Sequence, residues 1–149
     1  MRKFWAMSVC TLAVTICATG LTTGQGDKDK PSIEGTWKMT KLVYDGKDFS
    51  ELIKDKIVVM TFGKDNKWTS KENDKVDEGK YKVDISKKPM HIDMTKGGGN
   101  KEEVPGIFTV EGDMLSIAVP SPAKKDMPPK RPASFEDKEI VVLTLKKQQ

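Results

Sequence analysis

The stretch GKYKVDISKKPMHIDMT (79–95) decides the fold. Gly79, Tyr81, Val83 and Ile85 fall on one side of an extended chain, and Lys80, Lys82 and Asp84 on the other. After the turn-forming SKKP, Met90, Ile92 and Met94 alternate with His91, Asp93 and Thr95. Successive side chains of a strand point to opposite faces, so a period of two marks strands with one dry and one wet face. Two such runs joined by a few turn residues predict neighbouring antiparallel strands.

Outward from this hairpin the same pattern continues from Ile33 almost to the C-terminus. GTWKMTKLVY (35–44) reads as a first strand, closed by Asp45-Gly46, a dipeptide suited to the positive φ of tight hairpin turns. FSELIK (49–54) places Phe49, Leu52 and Ile53 on one side of a short helical turn. KIVVMTF (56–62) carries Val58, Met60 and Phe62 on one face, and the turn Gly63–Asn66 leads into 67–71 with Trp68. Strands at 106–110 and 114–119 flank the turn Glu111-Gly112-Asp113, and EIVVLTL (139–145) is the last strand. The predicted class is all-β, an antiparallel up-and-down eight-stranded barrel with one short helical turn after the first strand. A meander with one apolar face buries that face, and loses its edges, by closing. Two connections are long: KGGGNKEEVP (96–105) and the stretch 120–137, which holds five prolines.

At 149 residues the chain is one domain with an appendage at its front. Arg2 and Lys3 precede an uncharged, mostly apolar run, Phe4 to Ala18, and Ala18 and Gly20 are the small residues of a cleavage site. That order is the layout of a signal peptide. The expected organisation is a signal peptide at 1–20, a flexible leader at 21–32 and the barrel at 33–147. Cleavage after Gly24 is the alternative site. The apolar run falls short of the about 20 residues of a spanning helix, and neither Cys10 nor Cys17 follows the small residue that lipid attachment needs. A secreted or periplasmic protein without a transmembrane helix in its mature chain is expected. An uncleaved signal acting as an anchor is the alternative.

Cleavage after Gly20 removes Arg2 and Lys3 and no acid, lowering the formal charge from +4 to +2. So balanced a mixture of Lys, Asp and Glu argues against a nucleic-acid partner. Both cysteines leave with the signal, so the mature domain relies on its core without a disulfide. With His91 the only histidine, no zinc or copper site is expected, and no cofactor.

Gly35-Thr36-Trp37 at the mouth of the first strand, followed by a helical turn and a meander, resembles the lipocalin signature G-x-W. The resemblance sharpens to the uncharacterised lipocalin-like domain family abundant in exported proteins of planctomycete bacteria. It is carried by GTWKMTKLVYDGK (35–47), MTFGKDNKWT (60–69), EGKYKVDISKKP (78–89), HIDMT (91–95), PGIFTVEGDMLSIAV (105–119), RPASF (131–135) and VVLTLKK (141–147). The resemblance implies a lipocalin-like fold and no established activity. In lipocalins the Trp of this motif packs across the closed end, and an Arg near the last strand lies over its ring. Trp37 matches the first position. The last strand offers Lys146 and Lys147 instead of Arg, so Arg131 is the expected cation.

By alternation the barrel interior takes Trp37, Met39, Val58, Met60, Phe62, Trp68, Tyr81, Val83, Ile92, Met94, Phe108, Leu115, Ile117 and Leu143. An eight-stranded barrel either fills itself with such side chains or holds one small ligand. The candidate ligand-binding residues are Met39, Met60, Phe62, Trp68, Tyr81, Ile92, Met94, Phe108 and Ile117, with Tyr81 or Trp68 as polar handles. No catalytic residue is assigned. His91 alternates outward beside Asp93, and no Gly-x-Ser-x-Gly elbow occurs. Gly97–Lys101 lacks phosphate-loop spacing, and Glu72–Glu78 lacks the ligand spacing of a calcium loop and reads as a charged hairpin tip. Lys124, Lys125, Lys130 and Arg131 make the proline-rich loop locally basic, diluted by Asp126, Glu136 and Asp137. The sequence thus describes a monomeric, non-enzymatic module for a small apolar or amphipathic ligand. The alternative is a filled barrel that meets a protein partner, or acts as an inhibitor, through the loops 96–105 and 120–137.

Overall fold

A computed structural model describes residues 30–98, 102–121 and 128–149. The expected signal peptide and most of the expected leader lie outside the described residues, as do 99–101 and 122–127 of the two long loops. The unit from Pro31 to Gln149 is all-β. Its strands are β1 (Gly35–Tyr44), β2 (Lys47–Asp48), β3 (Val58–Phe62), β4 (Lys67–Glu72), β5 (Lys75–Asp84), β6 (Met90–Lys96), β7 (Glu103–Glu111), β8 (Met114–Pro120) and β9 (Ile140–Lys147). Neighbours pair antiparallel in the order β1-β3-β4-β5-β6-β7-β8-β9, and β9 returns to β1, closing an eight-stranded barrel. The short β2 pairs with β1 outside that ring. The helical turn is a 3-10 turn at Ser50–Ile53.

Local chemistry explains the tight hairpins. Val43↔Asp48 and Tyr44↔Lys47 leave Asp45-Gly46 as a two-residue loop, both at positive φ (47° and 74°). Such turns match the right-handed twist of the strands they join. Asn73, at φ 51°, plays the same part between β4 and β5: Glu72↔Lys75 leaves Asn73-Asp74 as the turn, and residues 75–78 of the expected hairpin tip belong to β5.

The core fills the end of the barrel where β1 begins. Trp37, Phe62, Ile92, Phe108, Leu115, Ile117 and Leu145 are buried to below 2 % exposure there, with Ile33, Met60, Trp68 and Tyr81 packed among them. The Trp37 indole donates from Nε1 to the carbonyl of Ile33 at 2.7 Å, tying down the chain that enters β1. Phe62 and Tyr81 meet edge to face at 5.2 Å. Gly79, opposite Trp68, lets the indole lie across it to reach Thr95 O at 3.2 Å.

Several expectations need correction. Val83 has the inward phase but is 43 % exposed, because β4 begins at Lys67, opposite Lys80, and gives this end of β5 no partner on that side. Leu52 is 64 % exposed, while Phe49 turns inward against Tyr44. Strands β5 and β7 begin earlier than their apolar alternation suggests. The first half of β5 is without large apolar side chains on its inner face and offers only Val76 on its outer one, and that of β7 contains Pro105.

A Cβ added at Gly79 would sit 1.8 Å from Thr95 O and 2.8 Å from Trp68 Nε1. Gly79→Ala is therefore expected to lower stability by at least about 1–3 kcal/mol through overpacking, measured by urea unfolding.

Candidate functional site

The site grows from a break in the barrel wall. The β7–β8 ladder runs from Glu111↔Met114 to Ile107↔Ala118 and stops. β7 continues to pair with β6 as far as Thr95↔Glu103, and β8 continues with β9 as far as Pro120↔Ile140. One more step of register would set Gly106 against Val119, and the next would set Pro105 against Pro120. Neither proline has an N–H, so that rung has no donor on either strand. The strands are still close at Gly106, where an added Cβ would lie 2.8 Å from Ala118 O. Beyond the glycine the wall opens.

Across the outside of the gap runs the strap 128–139. Phe135 packs beside Ile107, Ala118, Ile140 and Val142, a second small core on the outer face of β7–β9. Arg131 pins the strap to β6 and β7. Its Nη1 donates to Gly106 O at 2.6 Å and Ile92 O at 3.2 Å, and its Nη2 meets Asp93 Oδ1 at 2.5 Å. Asp137 accepts from the N–H of Ala133 and from the N–H and hydroxyl of Ser134. These bonds, Ala133 first, hold its carboxyl below the ordinary aspartate range. At the far end Asp45 accepts from the N–H of Glu139 and donates its own N–H to Ile140 O.

Between gap and strap lies a cleft of about 750 Å³. Tyr44, Val104 and Ser121 reach it from the inward phase of β1, β7 and the end of β8, whereas Pro128, Pro129 and Pro132 line it from the strap. The Ser121 hydroxyl donates to Tyr44 Oη at 2.9 Å. Charged residues line it too: Asp45, Glu102, Glu139, Lys130 and Lys138, with the strap's Arg131 and Asp137. The cleft is thus lined by apolar rings, by a hydroxyl pair and by charged side chains of both signs.

None of the nine candidate ligand-binding residues lines this cleft. Met60, Phe62, Trp68, Tyr81, Ile92, Phe108 and Ile117 pack against one another in the core, with Met94 half-buried against them. Met39, half-buried, stands opposite Leu145. The two polar handles are already engaged, Trp68 with Thr95 O and Tyr81 with Gly63 O at 2.8 Å. Burial accordingly pushes the Tyr81 phenol up. Towards the open end, the inward positions of β4–β6 are Ser70, Glu72, Lys75, Asp77 and Lys96 instead of apolar residues. Lys96 lies 3.2 Å from Asp77 and, with Lys75 behind it, keeps that carboxyl low.

Gly35 and Trp37 stand at the start of β1, and the cation over the Trp37 indole is Lys147, not the expected Arg131, its Nζ 5.4 Å from the ring centroid. Arg131 serves the strap instead. Lys147 is directly opposite Trp37 in the β1–β9 ladder, so closing the barrel brings the pair together. His91 is half-buried on the outer face, opposite Ile107. No group of three or more His, Cys, Asp or Glu side chains placed to hold a metal ion occurs among the described residues, nor any helix long and apolar enough to cross a membrane. Compared with protein-family models, curated proteins and solved structures, the chain matches none of them.

Arg131→Ala is expected to speed amide exchange through residues 128–137 while leaving tryptophan emission unchanged. Lys147→Ala should change that emission and cost about 0.5–1 kcal/mol in urea unfolding. The lowered Asp137 pKa fixes the sign of a pH effect: its capping bonds are complete above the ordinary aspartate value of about 3.9 and are lost as pH falls through the folded value. Amide exchange at Ala133 and Ser134, corrected for the intrinsic rate, should rise only on the acid side.

Proposed function

We propose that the protein is an exported, lipocalin-like binding module that holds one small apolar or amphipathic molecule in the wall cleft and performs no catalysis. The observation that carries this reading is the cleft itself. Its volume falls within the about 300–1,000 Å³ of small-molecule sites, and its lining combines proline, tyrosine, valine and isoleucine side chains with a hydroxyl pair and charged groups of both signs. Proline rings and the Tyr44 ring are rigid, so little conformational freedom is lost when a flat apolar body is held between them. The Tyr44–Ser121 hydroxyl pair offers one donor–acceptor point, and the charged side chains of the lining suit the polar end of an amphipathic molecule. Export is supported by the charge, apolar run and small residues of 1–20, and membership of the lipocalin-like family by the G-x-W position and the meander. Strap and gap replace the barrel axis as the place where the ligand sits.

The test is titration with an amphipathic fluorescent probe, anilinonaphthalene sulfonate, alongside native mass spectrometry of protein purified from its own host. Val104→Trp, which fills the cleft, and Pro129→Glu, which puts a charge on its wall, should each weaken probe binding at least about tenfold, a loss of about 1.4 kcal/mol. Met60→Leu, a volume-conserving change in the core, should leave it unchanged. Binding abolished by Met60→Leu but indifferent to both cleft variants would return the ligand to the barrel axis and defeat the proposal. A co-purifying protein in place of a small molecule would favour a partner docked on the strap.

A further inference from the structure

We propose that the outer face of β1, β3, β4 and β5 at the open end docks on an anionic lipid surface. One rung of that face is set by three ladders: Lys38 stands opposite Val59, Val59 opposite Lys71, and Lys71 opposite Val76. Cations and branched aliphatics therefore alternate across four strands. Ile57 precedes Val59 by two residues and extends the apolar part of the same face towards the rim. Ile57 is 63 % exposed and Val76 59 %, and Leu52 on the 3-10 turn is open to solvent at the same end. Among the described residues neither Lys38 nor Lys71 has a carboxylate partner, whereas Lys54, Lys56 and Lys75 are matched by Glu51, Glu72 and Asp77.

The composition of the rung selects the occupant. Isolated exposed aliphatics need no explanation, but these are interleaved with unpaired ammonium groups. The core of a protein–protein interface is depleted in lysine, because a buried ammonium loses its hydration. A soluble polyanion would engage the lysines and gain nothing from Ile57 or Val76. A bilayer surface uses both. Valine and isoleucine reach the boundary between headgroups and acyl chains, while the lysine stems lie along the apolar surface and carry their charges up to the phosphates.

The experiment is flotation of the chain beginning at Lys30, which contains every strand and core residue of the closed barrel. Vesicles are phosphatidylcholine alone or an equal mixture with phosphatidylglycerol, at low and at physiological ionic strength. Binding is expected to the anionic vesicles only, and to fall with salt. Lys38→Gln and Lys71→Gln should each reduce partitioning about fivefold, and Ile57→Ser with Val76→Ser should reduce it further while near-ultraviolet circular dichroism stays unchanged. Four results would overturn the proposal: equal partitioning to both vesicles, no partitioning to either, insensitivity to the lysine variants, or vesicle binding unaffected by the two serine changes. A dimer in light scattering that the serine changes dissolve would assign the face to a second copy of this chain and overturn it too.

Discussion

Strand β1 must pair on both sides at once for the barrel to exist. On one side it meets β3 from Gly35↔Phe62 to Lys38↔Val59, and on the other it meets β9 along nearly its whole length, from Trp37↔Lys147 to Tyr44↔Val141. The irregularity between Met39 and Lys41 lets it do so, since an extra residue bends a strand and increases its twist. With the ring shut, the inward faces of the strands become a single interior, and Trp37 can lie across it, held by the Ile33 carbonyl and capped by Lys147. That interior is a core at one end only. Towards the other end the inner wall turns polar on β4–β6 while β1, β8 and β9 keep Leu42, Val119, Val141 and Leu143.

The ring that removes sheet edges elsewhere leaves two short ones, on β7 and β8, and the chain covers them with its own strap. The arrangement is economical in contacts. Phe135 supplies the apolar anchor, and Arg131 supplies hydrogen bonds to strand carbonyls near the point where the ladder ends. Because the strap spans the gap without filling it, a cleft remains between a rigid row of prolines and inward-facing side chains of the barrel. Tight packing and open space are thereby kept apart. The tightly packed half of the molecule keeps the barrel shut, and the half with the broken ladder has room for a guest.

The outer surface divides in a similar way. The face of β7–β9 is apolar and hidden under the strap, while the face of β1–β5 is open and mixes lysine with valine and isoleucine. The cleft lies at the wall opposite the latter face.

The alternation in 79–95 and its repeats determined the class, the meander order and most of the strands, because a period of two has one simple structural meaning. The Asp45-Gly46 turn and the place of Trp37 were legible for the same local reason. Apolar phase also marked the core residues Met60, Phe62, Ile92, Phe108 and Ile117, but it could not tell packing from pocket, since both require the same inward face. The cleft was half visible: Pro105 and Pro120 lie equally far from the centre of the Gly112-Asp113 turn, so a fixed hairpin register makes them opposite. What they open depended on partners far away in the chain. Tertiary structure alone brought Arg131 to Asp93 and not to Trp37, gave Lys147 that ring instead, and laid the proline segment over the gap. A contact between residues distant in sequence is set by the closure of the whole sheet, and no local period records it.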